Sequence, residues 1–259
     1  MLVMKFGGAS VATPESFLKI AEIIIQRSLQ HKKIVVVVSA MGKTTDELID
    51  LAKMVNPEPP ARELDMLVSV GERISVALLA MALAKLGQDA VSFTGSQSGV
   101  ITCEGHTEAR IVDVKPKRLE EVLKRGGVAI VAGFQGVSRK GEITTLGRGG
   151  SDTSAVALAV ALGAERVEFY KDVPGIFDRD PKLDSGAKLQ ETMGYDEALR
   201  LANGGAKVLH GRCIKLAEKN GVELAIHSFS NPAKAGTIVG IGTKRNSLMS
   251  YEVETCSHN

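Results

Sequence analysis

The stretch TTLGRGGSDTSA, residues 144–155, decides how the rest of the chain is interpreted. Gly147, Gly149 and Gly150 surround Arg148, and an apolar run follows at once. Glycine has no Cβ, so it permits tight turns and a close approach of the backbone to a ligand. The serine, aspartate and threonine residues that follow are typical helix caps, and the free N–H groups of a first helical turn favour an anion. The stretch predicts a strand, a glycine loop and a helix N-terminus facing phosphate; an ordinary strand-to-helix turn is the alternative.

Apolar runs that predict buried strands alternate with helical patterns on both sides of this stretch. Leu2–Phe6, Ile34–Val38 and Val128–Ala132 are continuous apolar runs, as expected for parallel strands covered on both faces. Small or charged residues follow each run directly. We therefore expect an α/β fold, a three-layer αβα sandwich with a central, mostly parallel sheet. In that architecture ligands bind along the carboxyl ends of the strands.

Composition limits the classes of partner. The chain has 259 residues, 44% of them hydrophobic and 24% charged, and a net charge of +2. Such a balance is typical of a globular protein and gives no reason to invoke nucleic acid or an anionic membrane. The longest apolar run, residues 76–84, is shorter than the roughly 18 residues that span a bilayer. We expect a cytoplasmic protein that binds neither nucleic acid nor membrane.

The cysteines give a second, weaker indication of compartment. Cys103, Cys213 and Cys256 form no CxxC motif and no Cys/His cluster. This spacing argues against a zinc site and against a disulfide framework. A reducing compartment is therefore expected.

Charged and polar residues recur at the predicted loops, and their mixture indicates a chemistry. Cations stabilise the negative charge that spreads in phosphoryl transfer, and carboxylates hold metal or orient the cations. The chain has no GxxxxGK[ST] motif and no GxGxxG fingerprint after its first strand, which argues against a P-loop and a dinucleotide site. The residues concerned are Lys5, Ser39, Glu72, Arg148, Asp152, Asp172, Arg179 and Lys207.

Six motifs carry a family resemblance over nearly the whole chain. In order they are KFGGAS at 5–10, VVSAM at 37–41, VGER at 70–73, TLGRGGSDTSA at 145–155, KDVPGIFDRDP at 171–181 and GAKVLH at 205–210. In this order they resemble the aspartate kinases of the amino-acid kinase superfamily. The resemblance implies transfer of the ATP γ-phosphate to the side-chain carboxylate of L-aspartate, the first step towards lysine, threonine and methionine. It also implies ATP and Mg²⁺ as cofactors, with the Mg²⁺ held mainly by ATP.

The resemblance assigns roles by position. The catalytic pair would be Lys5 and Asp152. L-aspartate would be bound by Ser39, Thr45, Glu72, Arg148, Gly150 and Ser151. MgATP would be bound by Lys5, Gly7, Gly8, Ser10, Lys171, Asp172, Phe177, Arg179, Lys182 and Lys207. The acceptor carboxylate has an ordinary pKa near 4 and is already ionised, so Asp152 is expected to orient Lys5 rather than to act as a base.

The resemblance also implies an organisation and shows departures. Residues 1–242 would form the catalytic domain, with a substrate-binding part at about 1–145, a nucleotide-binding part at about 146–242 and a tail at 243–259. Family members usually continue into regulatory ACT domains, and we expect none here: the chain would lack feedback control, take it from a separate subunit, or be a truncated piece whose residues 243–259 are the start of a linker. A homodimer is expected. Lys171, Phe177, Lys182 and Gly211 depart from the usual Thr, Tyr, Arg and Pro, and most of them lie on the nucleotide side.

Alternatives remain open on the sequence alone. Another superfamily member, such as an acetylglutamate, glutamate, carbamate or UMP kinase, would share several motifs, and a catalytically inactive regulatory subunit would keep the fold. Arg148 and Asp152 could pair with each other across the turn. Arg179 and Lys182 could be solvated surface residues.

Overall fold

A computed structural model describes residues 1–181, 183–206, 208–243, 246 and 249–252. The predicted Lys182 and Lys207 therefore lie outside the described residues, as does Cys256. The strands are β1 (Leu2–Phe6), β2 (Ile34–Val38), β3 (Ala90–Phe93), β4 (Val100–Thr102), β5 (Ile111–Val114), β6 (Val128–Ala132), β7 (Gln135–Ser138), β8 (Ile143–Thr145), β9 (Arg166–Lys171), β10 (Thr192–Met193), β11 (Glu223–Ser228) and β12 (Ala235–Val239). The helices are α1 (Pro14–Ser28), α2 (Thr44–Val55), α3 (Ala61–Val68), α4 (Val70–Lys85), α5 (Lys117–Lys124), α6 (Gly150–Leu162), α7 (Tyr195–Asn203) and α8 (Gly211–Asn220), with a 3₁₀ turn at Gly8–Val11.

An eight-stranded sheet forms the central layer, in the order β10-β12-β11-β9-β1-β2-β6-β3. All neighbours from β11 to β3 run parallel, and β12 is antiparallel to β11. Lys5 of β1 lies opposite Val37 of β2 and Phe169 of β9. The predicted α/β fold, with a mostly parallel central sheet between helices, is confirmed.

The alternation of side chains along β1 decides which helical layer each residue meets. Leu2, Met4 and Phe6 join the core cluster that contains α1 and α4, whereas Val3 joins the cluster that contains α6 and α8. Successive strand residues point to opposite faces. Lys5 therefore points to the same face as Val3, towards the N-terminus of α6.

A second, four-stranded sheet in the order β5-β4-β7-β8 was not predicted. Its strands are three or four residues long, too short for a clear alternating pattern. The antiparallel pair β7 and β8 leads directly into the glycine loop. The sheet therefore sets where that loop begins.

Two consecutive helices, α3 and α4, cover residues 61–85. The helices α3 and α4 meet at Ser69, one residue before the VGER motif. Ala61–Lys85, taken as one helix of 25 residues, is long and apolar enough to cross a membrane, which the run 76–84 did not indicate. Half of its most apolar window is buried inside the fold, and Leu79 and Leu83 are core residues. Core packing accounts for this apolar composition.

The cysteines differ from expectation in one respect. Cys103 is disulfide-bonded, although the sequence argued against disulfides. Cys213 is free and buried, as its apolar neighbours in α8 require. Sequence spacing did not find the bond because disulfide partners are brought together by the fold rather than by the chain.

Candidate active site

A cleft of about 610 Å³ opens where β1 and β2 end and α6 begins. Predicted residues from four separate motifs, together with Thr45, line it. Both strands are parallel, so their carboxyl ends lie at the same edge of the sheet. The predicted residues in its lining are Lys5, Gly8, Ser39, Thr45, Glu72, Arg148, Gly150, Ser151 and Asp152.

Two lysines share one carboxylate at the wall of this cleft. Lys5 Nζ lies 2.7 Å from Asp152 Oδ1, and Lys171 Nζ lies 3.0 Å from Asp152 Oδ2. Burial alone would raise the pKa of Asp152, but the charges of Lys171 and Lys5 outweigh it and hold that pKa at about 2. Asp152 is therefore ionised at physiological pH and is a very weak base there.

Lys5 is unusual because it is only 4% exposed in the middle of the sheet. Burial lowers its pKa, and Lys171 adds to this effect, while Asp152 opposes it. The three side chains together carry a net positive charge. A water-poor site with an excess of positive charge favours a phosphate group.

The glycine loop reaches α6 in a conformation that only glycine adopts readily. Gly147 and Gly149 have φ values of 71° and 74°, and Gly149 is the N-cap residue of α6. No side chain caps this helix, against the expectation for the polar residues that follow. Thr153 and Ser154 instead donate to the carbonyls of Gly149 and Gly150, as hydroxyls inside a first turn can.

Arg148 is exposed at the rim of the cleft. It makes no hydrogen bond or ion pair within the part of the chain that the structure describes. The alternative in which Arg148 pairs with Asp152 is not what the structure shows, because Asp152 holds Lys5 and Lys171 instead. The guanidinium group is available for a planar anion such as a carboxylate.

Glu72 lies on the opposite side of the cleft and is 3% exposed. Its Oε1 accepts a hydrogen bond from the Ala40 N–H at 3.1 Å, and its Oε2 has no partner among the described residues. The close packing depends on Gly71, where a Cβ would lie 2.7 Å from the Cβ of Ala40. Burial raises the pKa of Glu72 to about 7, although hydrogen bonds from the backbone N–H groups of Glu72 and Ala40 lower that pKa.

The residues predicted for the nucleotide lie mostly beside the cleft. Ser10 donates to the carbonyl of Tyr170 at 3.2 Å and so holds the 3₁₀ turn against the end of β9. Gly7 packs over the Lys5 amino group. Asp172 is exposed just after β9, and Phe177 forms an isolated bridge with Leu189 in the following loop.

Arg179 is 58% exposed and pairs with Asp184 at 2.8 Å in its own loop. The exposure and local ion pair of Arg179 are those of an ordinary surface residue. A second cleft of about 540 Å³ shares Gly149 and Asp152 with the first and extends between α7 and α8. The two clefts therefore meet at the start of α6.

Among the lining residues that sequence reasoning did not assign to the site are Asp65, Thr107, Phe134 and Thr145. Asp65 is fully buried and accepts hydrogen bonds from the Thr107 N–H, the Thr145 hydroxyl and His106 Nδ1. Thr107 and Phe134 both have a φ of 67°, which non-glycine residues seldom adopt. The signal in the sequence was an acid on the buried side of a predicted helix, since buried acids need partners.

Metal binding by the protein itself finds no support here. Across the described ranges, no group of three or more His, Cys, Asp or Glu residues could hold a metal ion. Asp152, the best placed carboxylate, is occupied by two lysines. A divalent cation in this cleft would need its ligands from a bound molecule.

The chain matches known proteins in both sequence and fold. The family model described as "Amino acid kinase family" matches residues 1–228. An aspartokinase of Mycobacterium tuberculosis is 52% identical over 92% of this chain and 57% of its own length. One of Bacillus sp. MGA3 is 48% identical over 92% of this chain and 58% of its own. The chain thus spans less than two thirds of these curated relatives.

Solved structures give the same picture. Aspartate kinase from Synechocystis superposes with a TM-score of 0.83 at 48% identity, over 95% of this chain and 41% of that one. E. coli aspartokinase III in complex with aspartate and ADP gives 0.78 at 28% identity, over 92% of this chain and 64% of that one. A UMP kinase from Bacillus anthracis, 17% identical with a TM-score of 0.67, shares the fold alone.

Proposed function

Because this chain belongs to the amino acid kinase family, we propose that it is an aspartate kinase, which transfers the γ-phosphate of ATP to the side-chain carboxylate of L-aspartate. A carboxylate oxygen attacks the γ-phosphorus, the bond from that phosphorus to the β–γ bridging oxygen breaks, and ADP leaves with the electron pair. No proton is removed from the acceptor. The observation that carries this proposal is the Lys5–Asp152–Lys171 cluster between two clefts, beside Arg148, which has no partner among the described residues.

The acceptor side has the charges that an amino acid with two carboxylates needs. Arg148 can bind one carboxylate with two parallel hydrogen bonds. Glu72, with one oxygen unpartnered in the described structure, can accept from the ammonium group. Ser39, Thr45 and Ser151 line the space between them. A relative crystallised with aspartate and ADP supports this assignment.

On the donor side, the charge of Lys5 contributes most of the stabilisation of the transferring phosphate. A lysine about 4 Å from a phosphate oxygen contributes on the order of 4 kcal/mol at an effective dielectric near 20. A helix N-terminus contributes roughly 0.3–1 kcal/mol. The glycines of the α6 loop and of the turn after β1 therefore give access, and the lysines stabilise the transferring group.

Asp152 acts in this proposal as the residue that orients Lys5 and Lys171. Its pKa of about 2, which the lysines hold down against burial, makes it too weak for efficient general-base catalysis near neutral pH. The protein offers no carboxylate set for Mg²⁺ among the described residues. The cation enters with ATP, bound to its phosphates, and no step here is assigned to it.

The domain boundaries also become a proposal. Residues 1–145 contribute Lys5, Ser39, Thr45 and Glu72 to the cleft, while 146–242 contribute the α6 loop and both walls of the second cleft. We therefore assign the acceptor mainly to the first part and the nucleotide mainly to the second. Lys5 belongs to both sides.

One assay tests the function. The protein is incubated with MgATP, L-aspartate and hydroxylamine, and aspartyl hydroxamate is measured. We expect product from the native chain and from Lys33→Met, an exposed control, but almost none from Lys5→Met. Turnover with acetylglutamate, glutamate, carbamate or UMP but not with aspartate would assign another family activity. No turnover with any acceptor would indicate an inactive subunit.

A further inference from the structure

Arg212 stands at the start of α8, outside every motif role assigned above, yet all three nitrogen atoms of its guanidinium group are bonded. Nη1 donates to the Leu146 carbonyl, and Nη2 donates to the Ala109 carbonyl at 3.0 Å. Leu146 is the residue immediately before the glycine loop. The Arg212 side chain therefore holds the residue at which the glycine loop begins.

The remaining donors of Arg212 reach the end of the described chain. Nε lies 2.8 Å from Glu252 Oε1, and Nη2 lies 2.8 Å from Glu252 Oε2. Both side chains are mostly buried, at 16% and 12% exposure. Paired bonds between arginine and a carboxylate fix direction as well as distance. Glu252 therefore orients the same guanidinium group that holds Leu146.

Glu252 is itself held firmly in place. Its backbone N–H donates to the Ile111 carbonyl at 3.0 Å, and its Oε2 accepts from the Ile111 N–H at 2.9 Å. Two residues earlier, Ser250 exchanges hydrogen bonds with the Asn220 side chain at 2.7 and 2.9 Å. The segment 249–252 is thus docked on β5 and α8, where the sequence analysis expected a surface extension.

We propose that Arg212 is a positioning residue for the acceptor side of the cleft, and that the docked segment 249–252 supports it through Glu252. The chain of contacts runs from Glu252 to Arg212, to the Leu146 carbonyl, and two residues on to Arg148. The Lys5–Asp152–Lys171 cluster lies on β1, α6 and β9 and takes no bond from Arg212. Arg212 also lines the second cleft, whereas Glu252 lines neither. Loosening the clamp through Glu252 therefore weakens aspartate binding and leaves the donor side unchanged. This inference rests on the proposed function.

The kinetic test separates positioning from general damage. Arg212→Lys keeps the charge but cannot reach two carbonyls and a carboxylate together. We expect it to raise KM for aspartate about tenfold; because Arg212 also lines the second cleft, the selective test is Glu252→Gln. Glu252→Gln should raise KM for aspartate about threefold, with kcat and KM for ATP within about twofold. The double variant should match Arg212→Lys alone, since Glu252 acts through Arg212.

A matched control is available in the same chain. Arg166 and Glu223 form a comparable pair at 2.6 Å, at the starts of β9 and β11 and away from both clefts. Glu223→Gln should leave all three constants unchanged. The proposal fails if Glu252→Gln and Arg212→Lys leave KM for aspartate unchanged, if all constants move together, or if Glu223→Gln has the same effect.

A readout without turnover keeps the two proposals distinguishable. Amide hydrogen exchange at residues 146–150 should be faster in Glu252→Gln than in the native chain or in Glu223→Gln. If exchange is faster in Glu252→Gln but the native chain phosphorylates no aspartate, the clamp stands and the proposed function is rejected. An active native chain in which Glu252→Gln changes neither exchange nor KM would reject the clamp alone.

Discussion

The backbone N–H of Ala40 donates to Glu72 at 3.1 Å in the wall of the cleft and leaves the second oxygen of that carboxyl group unpartnered among the described residues. Ala40 follows β2 and Glu72 lies in the first turn of α4, so the contact joins two elements at the acceptor side. It forms because Gly71 lets the helix approach the loop. The free oxygen is the feature from which the first prediction follows.

Aspartate binding should depend on pH through Glu72. Burial raises the pKa of this carboxyl group to about 7, and only the ionised form attracts an ammonium group. KM for aspartate should rise up to tenfold per pH unit below that value. In Glu72→Gln, KM should be high and constant between pH 6 and pH 8. A native KM that does not change over this range would contradict the assignment.

The same pKa makes a prediction about stability without ligands. Between the ordinary value of 4.5 and about 7, the folded protein keeps this proton while the unfolded chain loses it. The free energy of unfolding should therefore fall as pH rises through that window, by about 3 kcal/mol relative to Glu72→Gln. Urea unfolding of both proteins at pH 5 and pH 8 measures the difference. Equal differences at the two pH values would show that Glu72 does not titrate in this way.

Asp152→Asn and Lys171→Met should move the alkaline limb of the pH–kcat profile in opposite directions. Burial lowers the pKa of Lys5, Asp152 opposes this, and Lys171 adds to it. Removing the carboxylate should shift the limb to lower pH and reduce kcat about a hundredfold. Removing Lys171 should shift the limb to higher pH. A new acid limb in Asp152→Asn, absent from the native enzyme, would instead indicate that Asp152 exchanges a proton during turnover.

Gly149→Ala should unfold more easily than Gly141→Ala. Both glycines have positive φ, at 74° and 88°, so the backbone strain is comparable. A Cβ at Gly149 would lie 2.1 Å from His210 Cγ, whereas nothing lies within 4 Å of one at Gly141. We expect a loss of about 1 kcal/mol at Gly141 and at least about 3 kcal/mol at Gly149. Thermal unfolding of the two variants checks this; equal losses would mean that the α6 loop moves away from His210 at little cost.

Arg27→Met should destabilise the fold without changing aspartate binding. Arg27 donates twice to Glu168, which is 1% exposed and also accepts from the Tyr170 hydroxyl at 2.8 Å. These residues lie on the α1 face of the sheet, opposite to Lys5. Leaving a buried carboxylate unpaired costs about 3–5 kcal/mol.

The control for Arg27 is the exposed pair of Arg125 and Asp89, in which Nε lies 2.9 Å from Oδ2. Arg125→Met should change the free energy of unfolding by less than about 1 kcal/mol. If the two arginine variants lose similar stability in urea, burial is not what makes the Glu168 pair important.

Much of the site could be predicted because it lies in local motifs at strand ends. KFGGAS, VGER and the α6 loop each carry their own turn chemistry, and parallel strands bring their carboxyl ends together whatever lies between them. The role of Asp65 could not be predicted in this way. Its partners Thr107 and Thr145 are distant in sequence and meet it only because the second sheet folds over α3.

The sequence by itself determined the alternation of strands and helices and the family to which the chain belongs. These follow from periodicity and from ordered motifs, which are properties of neighbours along the chain. Only the tertiary structure decided that Asp152 pairs with two lysines rather than with Arg148. It also decided that one oxygen of Glu72 has no hydrogen-bond partner among the described residues, and that Glu252 holds Arg212. Those are distances between elements far apart in sequence, set by how the layers pack, and no local pattern specifies them.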